Sequence, residues 1–269
     1  MKSSLIISTY NWADALFLCL KSIENLSLKP DEIIIGDDGS SDHTKKIIDD
    51  FRERIGIPII HIWHKDKGFR LAEIRNKAIS YASGDYIIQI DGDVILHKNF
   101  IKDHLDFAKK GCFVKGYRLM IGIQKSKALL ENKSIKISWL SRGMSFRENG
   151  IYLPFIHKIF KPKEVATSNS VMGSNMAFFK EDFIKVNGYD NSLQGWGAED
   201  KELAQRFVNA GLKRRKMKFL GIQYHLYHKE EDKSNQPSHL NFTSQIEKSK
   251  TITCKNGLLQ TDKDFIVYE

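Results

Sequence analysis

The stretch Tyr86-Ile87-Ile88-Gln89-Ile90-Asp91-Gly92-Asp93 is five residues of buried-strand character that run straight into two carboxylates separated by a glycine. A short apolar run bounded by a turn signal predicts a strand covered on both faces, the kind found in parallel sheets. Two carboxylates at such a strand end can offer oxygen ligands to Mg²⁺ or Mn²⁺ while leaving positions open for phosphate oxygens. Taken alone, Asp-Gly-Asp reads better as a turn rich in the residues turns favour. Its neighbours in the chain have to decide.

Upstream, Leu5-Ile6-Ile7-Ser8-Thr9 predicts a first strand, and Ala15, Leu16, Leu18, Cys19, Leu20 and Ile23 recur at helical spacing behind it. Glu32-Ile33-Ile34-Ile35-Gly36 predicts a second strand. It ends in Asp37-Asp38-Gly39-Ser40-Ser41-Asp42, dense in turn and helix-capping residues, before a helix through Ile47, Ile48 and Phe51. A third strand is expected at Ile57 to Trp63 and a helix over Leu71 to Ala82. Strands alternating with helices imply a right-handed, doubly wound α/β sheet, whose ligands bind at the carboxyl ends of the strands. Thr9-Tyr10-Asn11, Asp37-Asp38 and Asp91-Asp93 would converge there.

Beyond Gly116 the pattern loosens. Residues 120–165 read as a basic, apolar insertion in which Lys125, Lys127, Lys133, Lys136, Arg142, Arg147, Lys158, Lys161 and Lys163 accompany Trp139, Leu140, Met144, Phe146, Phe155, Ile156, Ile159 and Phe160. Order returns with a strand expected at Gly173 to Phe179 and a helix from Ala198 to Ala210 stopped by Gly211. Residues 1–116 would form a donor-binding half and 117–269 an acceptor-binding, catalytic half of one domain. At 269 residues the chain is long enough for such a domain.

The composition, 41% hydrophobic and 28% charged, is that of an ordinary globular protein. No apolar run is long enough to span a bilayer and the N-terminus lacks a signal core, so a cytoplasmic location is expected. Three cysteines, Cys19, Cys112 and Cys254, show no metal-ligand spacing and fit a reducing compartment. A formal charge of +9 favours anionic partners. With no zinc finger and no aromatic-basic interleaving, nucleic acid is not expected among them.

Two further segments carry chemistry. In Gly195-Trp196-Gly197-Ala198-Glu199-Asp200 the glycines allow a tight turn around Trp196, whose flat ring can support a sugar face, with Glu199 and Asp200 available as orienter and general base. Acids at a helix start also complement its dipole, whatever else they do. In Tyr224-His225-Leu226-Tyr227-His228-Lys229 a neutral imidazole can complete a metal site begun by Asp93. Gly68 to Asn76 adds Arg70 and Arg75, either of which can meet a diphosphate or pair with a core carboxylate.

In this order the segments resemble the GT-A glycosyltransferases of family 2, and the C-terminal half is similar to the galactosyltransferase-like module of bacterial chondroitin polymerases and animal β-1,4-galactosyltransferases. The likeness rests on Ile6 to Asn11, Ile35 to Asp42, Asp91 to Asp93, Gly173 to Phe178, Gly188-Tyr189-Asp190, Gly195 to Asp200, and His225 to His228 with Asp232-Lys233-Ser234-Asn235. It implies a GT-A fold and an inverting, Mn²⁺- or Mg²⁺-dependent transfer of a hexose or N-acetylhexosamine from a UDP-sugar to a glycan or lipid-linked saccharide.

By the same resemblance Thr9, Tyr10 and Asp38 surround the uridine, Asp91 and Gly92 approach the ribose or sugar, and Arg70 or Arg75 meets the diphosphate. Asp93 and His228 bind metal, His225 standing where the animal enzymes carry a methionine ligand. Asp200 is the base, and Trp196, Gly197 and Glu199 hold the acceptor. The basic insertion suggests an anionic or lipid-linked acceptor and peripheral contact with an anionic inner membrane during surface polysaccharide synthesis. A sugar nucleotidyltransferase would want a Gly-rich triphosphate grip near the first strand, which is missing. A carbohydrate-binding protein without catalysis would not need both Asp93 and Asp200, which are present.

Overall fold

The computed structural model describes residues 1–138, 140–229 and 235–269, apart from the side chains of residues 157 and 158. Trp139, the Lys158 side chain and the Asp232-Lys233-Ser234 part of the C-terminal motif therefore lie outside the described residues. The chain begins as a strict alternation: β1 (Ser3–Thr9), α1 (Ala13–Glu24), β2 (Glu32–Asp37), α2 (Asp42–Ile55), β3 (Ile59–Trp63), α3 (Leu71–Tyr81) and β4 (Tyr86–Asp91). It continues through β5 (Val94–Leu96), α4 (Phe100–Phe107), β6 (Cys112–Lys115), β7 (Leu119–Ile121), α5 (Ile123–Glu131), β8 (Met144–Ser145), α6 (Ile156–Ile159) and β9 (Glu164–Val165). The last elements are β10 (Asn175–Phe179), α7 (Lys180–Lys185), α8 (Glu199–Asn209), β11 (Lys213–Lys216), β12 (Gln223–His225), α9 (Gln236–Ser249) and β13 (Ile266–Tyr268).

The main sheet has the order β13-β3-β2-β1-β4-β10-β6-β11-β9. Its centre, β3-β2-β1-β4, is parallel, as the alternation requires. Beyond β4 the sheet turns mixed, because β10 runs antiparallel to both β4 and β6. That reversal brings the start of β10 to the same edge as the end of β4, with Asn175 opposite Ile90.

Why these strands carry continuous isoleucine is visible in the core. Leu5, Ile7, Ile33, Ile35, Ile88 and Ile90 pack on one face with Leu16, Leu20, Ile48 and Phe51 of α1 and α2. Ile6, Ile34, Ile62 and Ile87 pack on the other with Ile74 and Ala78 of α3 and Leu203 and Phe207 of α8. Successive side chains point to opposite faces, and both faces are covered, so a polar residue inside a strand needs a buried partner, as Gln89 has in the Gly173 carbonyl and the Tyr189 hydroxyl.

The segment 120–165 is not a simple insertion. Leu119, Ile121, Leu129 and Met144 are buried in a third cluster with Ala15, Leu18, Ile95, Ile222 and Tyr224. Here β7 and β8 complete a second sheet of order β5-β12-β7-β8, in which β12 carries His225. Residues 140–160 carry most of its exposed apolar side chains, as described below.

Helix α8 is locked from beneath. Arg206 and Glu202, both without exposed side-chain surface, form a two-pronged pair at 2.6 Å on each arm, and Arg206 also donates to the Val186 carbonyl at 2.7 Å. Removing one partner leaves an uncompensated buried charge. Glu202→Ala should therefore cost about 3–5 kcal/mol, whereas replacing both partners with Leu and Met should be nearly neutral. Urea unfolding of the two variants checks this; equal losses would contradict it.

Candidate active site

Strand register sets the first row of the site. Thr9 lies beside Asp37 and Ser8 beside Asp91, so three strands deliver polar side chains to one edge. Gly92 closes the turn after β4 by donating its amide to the Ser8 carbonyl at 2.7 Å. A Cβ there would lie 3.1 Å from that carbonyl oxygen and 3.2 Å from the Thr9 hydroxyl, tighter than ordinary contact, so a small residue belongs between the two aspartates.

Asp93 then points toward the second sheet. Its Oδ2 lies 3.2 Å from His225 Nε2 and 3.3 Å from His228 Nε2, and one ligand atom from each of the three falls within 4.8 Å of the others. His225 is placed by β12, paired residue for residue with β5, so that His225 stands opposite Val94. His228 is set by its Nδ1–Lys229 carbonyl contact of 2.7 Å, which directs Nε2 toward Asp93. Burial keeps the His225 imidazole below its ordinary pKa against the pull of Asp93, favouring the neutral form a metal needs. Burial also works against charge on Asp93, yet the two histidines hold its pKa below the ordinary carboxylate value. Asp93 Oδ1 is buried with no hydrogen-bond partner among the described residues. One carboxylate, two imidazoles and an orphaned oxygen fit a divalent cation such as Mn²⁺. Both expected histidines are brought to Asp93.

Behind this trio sits Arg75, whose side chain is 1% exposed. It donates to Asp91 at 2.9 Å, to Asp200 at 2.8 Å, to Ser8 Oγ at 3.2 Å and reaches Glu199 at 3.5 Å. The guanidinium is thus consumed by carboxylates and does not stand open to a diphosphate. Arg70 is likewise engaged, with Glu73 at 3.2 Å and the Lys65 carbonyl at 2.5 Å. The sequence leaves each arginine two roles, and here both make ion pairs with carboxylates.

Glu199 and Asp200 start α8 after a turn with positive φ at Gly195, Gly197 and Ala198. Trp196 and Gly197 are held in that turn, with the Gly197 carbonyl bonded to His239 of α9. Asp200 Oδ1 accepts from Arg75 and, at 2.8 Å, from the Tyr189 hydroxyl, and Oδ2 accepts from the Gly173 amide at 2.7 Å. Of its roughly four acceptor sites one remains on Oδ2. Glu199 differs: Oε2 is buried without a partner, and burial, reinforced by Asp200 and opposed by Arg75, pushes its carboxyl up to about 8.

On the other side, Asp38 is buried and accepts from the Arg70 amide at 2.8 Å, with Oδ1 2.5 Å from His64 Nε2. His64 Nδ1 meets Lys77 at 3.1 Å, and Lys77 meets Glu73 at 2.7 Å. Tyr10, 49% exposed, rests its hydroxyl on Asp66 at 2.9 Å, leaving its ring at the mouth of the crevice. The sequence reading gave no role to His64 or Arg118, and named Tyr189 only within the Gly188-Tyr189-Asp190 likeness. His64 directly follows β3, so the rule that ligands gather at strand ends would have found it. Nothing local marks Arg118.

The Glu199 proton has a measurable consequence. Its folded pKa lies above the ordinary 4.5, so the native state holds a proton that the unfolded chain releases. That contribution is complete below the unfolded value and is lost as pH rises toward about 8. Glu199→Gln, permanently neutral, should lose less Tm than the parent between about pH 5 and pH 8. Parallel slopes in thermal melts would show that Glu199 does not hold the proton.

Comparison with known proteins is consistent with this geometry. The family model described as glycosyl transferase family 2 matches residues 4–186, and one described as the N-terminal domain of galactosyltransferase matches residues 154–229. The chondroitin synthase of Escherichia coli is 23% identical over 236 residues, covering 77% of this chain and 32% of that protein. The hyaluronan synthase of Pasteurella multocida is 33% identical over 223 residues, covering 77% and 23% respectively. The chain thus spans about a third or less of these relatives' length. Among solved structures, GalNAc-T7 with UDP, GalNAc and Mn²⁺ superimposes with a TM-score of 0.66 at 16% identity, over 91% of this chain and 48% of that one. The fold is GT-A, and the chain belongs to glycosyl transferase family 2.

Proposed function

We propose that the protein is a metal-dependent, inverting glycosyltransferase that moves a hexose or N-acetylhexosamine from a UDP-sugar to a hydroxyl of a glycan or lipid-linked saccharide. The observation that carries this reading is that one buried arginine ties Asp91 to the Glu199–Asp200 pair, two residues before the Asp93 that gathers His225 and His228. A cation held by the trio would supply charge stabilisation to the departing diphosphate. GalNAc-T7, solved with UDP and Mn²⁺ on the same fold, supports that ligand set.

The chain's own residues divide the remaining work. Thr9, Tyr10 and Asp38 line the strand ends where the nucleoside would lie, Tyr10 offering its exposed ring and Asp38 the acceptor sites that His64 and Arg70 leave over. Asp91 and Gly92 would face the ribose or sugar. Arg75, rather than touching phosphate, fixes Asp91 and Asp200 relative to each other. Asp200, held by three donors, takes the proton from the attacking hydroxyl with its remaining lone pair. Protonated Glu199 and the face of Trp196 orient the acceptor. One displacement exchanges the anomeric bond to UDP for a bond to the acceptor oxygen and inverts that carbon.

A panel of UDP-sugars with Mn²⁺, read as UDP release with and without acceptor saccharides, tests the reading. Asp200→Asn should lower turnover by about 100-fold or more while UDP still binds, and Asp93→Ala should abolish Mn²⁺-dependent UDP binding. The reading fails if no UDP-sugar binds or is consumed with Mn²⁺ or Mg²⁺.

Location follows from a second feature. No helix among the described residues is long and apolar enough to cross a membrane. Leu140, Phe146, Leu153, Phe155, Ile159 and Phe160 are nevertheless 44–74% exposed, amid Lys136, Arg142, Arg147, Lys161 and Lys163. Apolar side chains framed by cations suit the interface of an anionic bilayer. The reading places the enzyme in the cytoplasm, resting on the inner membrane during surface polysaccharide assembly. It should sediment with phosphatidylglycerol vesicles at low salt and be released, at least in part, at high salt; a protein that never pellets would sink the membrane contact.

A further inference from the structure

Beyond the acceptor side of Asp200 the sheet gathers cations that form no ion pair among the described residues, although the charge of Arg118 also reaches Asp91 and Asp93. Lys115 ends β6 and stands opposite Lys216 of β11, while Phe113, on the same face two residues earlier, stands opposite Arg214. Phe113 packs with Leu203 and Phe207, so this is the face that α8 covers. Lys115 is 4% exposed and Arg214 6%. No carboxylate forms an ion pair with Lys115, Arg118, Arg214 or Lys216 among the described residues. Among the described residues the Lys115 side chain meets only the Tyr117 ring, with 3.3 Å from its ammonium to the ring centroid, while Arg214 donates one arm to the Asn169 carbonyl and its Nε is buried without a partner.

Burying an ammonium in this way is costly. Burial, then Lys216, Arg214 and Arg118, push the Lys115 pKa down to about 8. Buried cations are ordinarily paired, so buried Lys115 and Arg214 suit an anionic ligand.

Its position says which substrate would bring one. The nucleoside side of the site lies at the ends of β2 and β1, whereas β6 and β11 lie across β4 and β10 from them. Arg118 reaches Ser174 Oγ at 3.5 Å, and the preceding residue, Gly173, donates to Asp200. Arg118 therefore touches the residue next to the one that holds the carboxylate which would deprotonate the acceptor, and Lys115 lies three residues earlier in the chain. This inference rests on the transferase reading above.

We propose that Lys115, Arg118 and Arg214 form an anion-binding pocket that receives a carboxylate or phosphate carried by the acceptor saccharide. An acidic acceptor would thereby be seated with its hydroxyl toward Asp200, and a neutral one would leave the cations unpaired.

Protein loaded with Mg²⁺ and UDP is titrated with methyl β-glucuronide, glycerol 1-phosphate and, as the uncharged control, methyl β-glucoside, with binding followed by ligand-observed NMR. At least one anion should bind about tenfold or more tightly than the glucoside, and the arm that does so identifies carboxylate or phosphate. Lys115→Met and Arg214→Gln should each weaken the anion about tenfold and leave UDP affinity unchanged. Lys115→Met should also raise Tm, since it removes an unpaired buried charge, so lost binding cannot be ascribed to misfolding.

Anions that bind no better than the glucoside, variants that bind them as the parent does, or variants that lose UDP would each overturn the proposal. A parent protein that bound the anions but not UDP would overturn the transferase reading and, with it, the acceptor assignment.

Discussion

Arg75 has almost no contact with water, and its guanidinium is shared among Asp91 at the end of β4, Asp200 and Glu199 at the start of α8, and Ser8 of β1. Desolvation works against its charge, but the carboxylates more than compensate and hold its pKa above the ordinary value. Those three acids come from segments more than a hundred residues apart. Without a cation between them, Asp91 and Asp200 would repel, and the strand and helix that present them would have no reason to stay in register. A planar, always-charged group with several donors suits the position, and a lysine would not span it.

One positive charge cannot neutralise three negative ones. The structure resolves the excess by letting Glu199 keep its proton, with its carboxyl pushed up to about 8, while Asp200 is fixed by Arg75, Tyr189 and Gly173. Adjacent residues on one helix thus acquire different chemistry, one suited to donate a hydrogen bond and the other to accept a proton. Asp93 escapes the network because it lies one pleat beyond Asp91 and turns to the second sheet, where His225 and His228 wait. Two carboxylates two residues apart therefore serve different neighbours.

How far a residue's role could be read in advance depended on what carries the information. Leu5 to Thr9, Glu32 to Gly36 and Tyr86 to Ile90 announce themselves, since burial on both faces demands unbroken apolar runs. The expected strand at Gly173 and helix at Ala198 appear as β10 and α8, but the antiparallel sense of β10 does not follow from its residues. Leu119, Ile121, Leu129 and Met144 are spaced too irregularly to show in the sequence that they cover a small second sheet. Arg70 and Arg75 sit in a motif that fits phosphate as well as carboxylate, and only partners distant in sequence distinguish the two.

The sequence by itself determined the alternating α/β architecture, the edge at which Thr9, Asp38 and Asp91–Asp93 gather, and the stock of metal-binding and proton-accepting side chains. These follow from periodicity and from where polar residues interrupt it, which are local properties. Tertiary structure alone decided that both histidines meet Asp93, that Arg75 lies among carboxylates, that burial raises the Glu199 carboxyl, and that Lys115 and Arg214 are buried with no ion pair among the described residues. Each of these is a matter of which charges share a desolvated volume. Electrostatic energy there depends on separation and exposure, and neither is written in the order of residues along the chain.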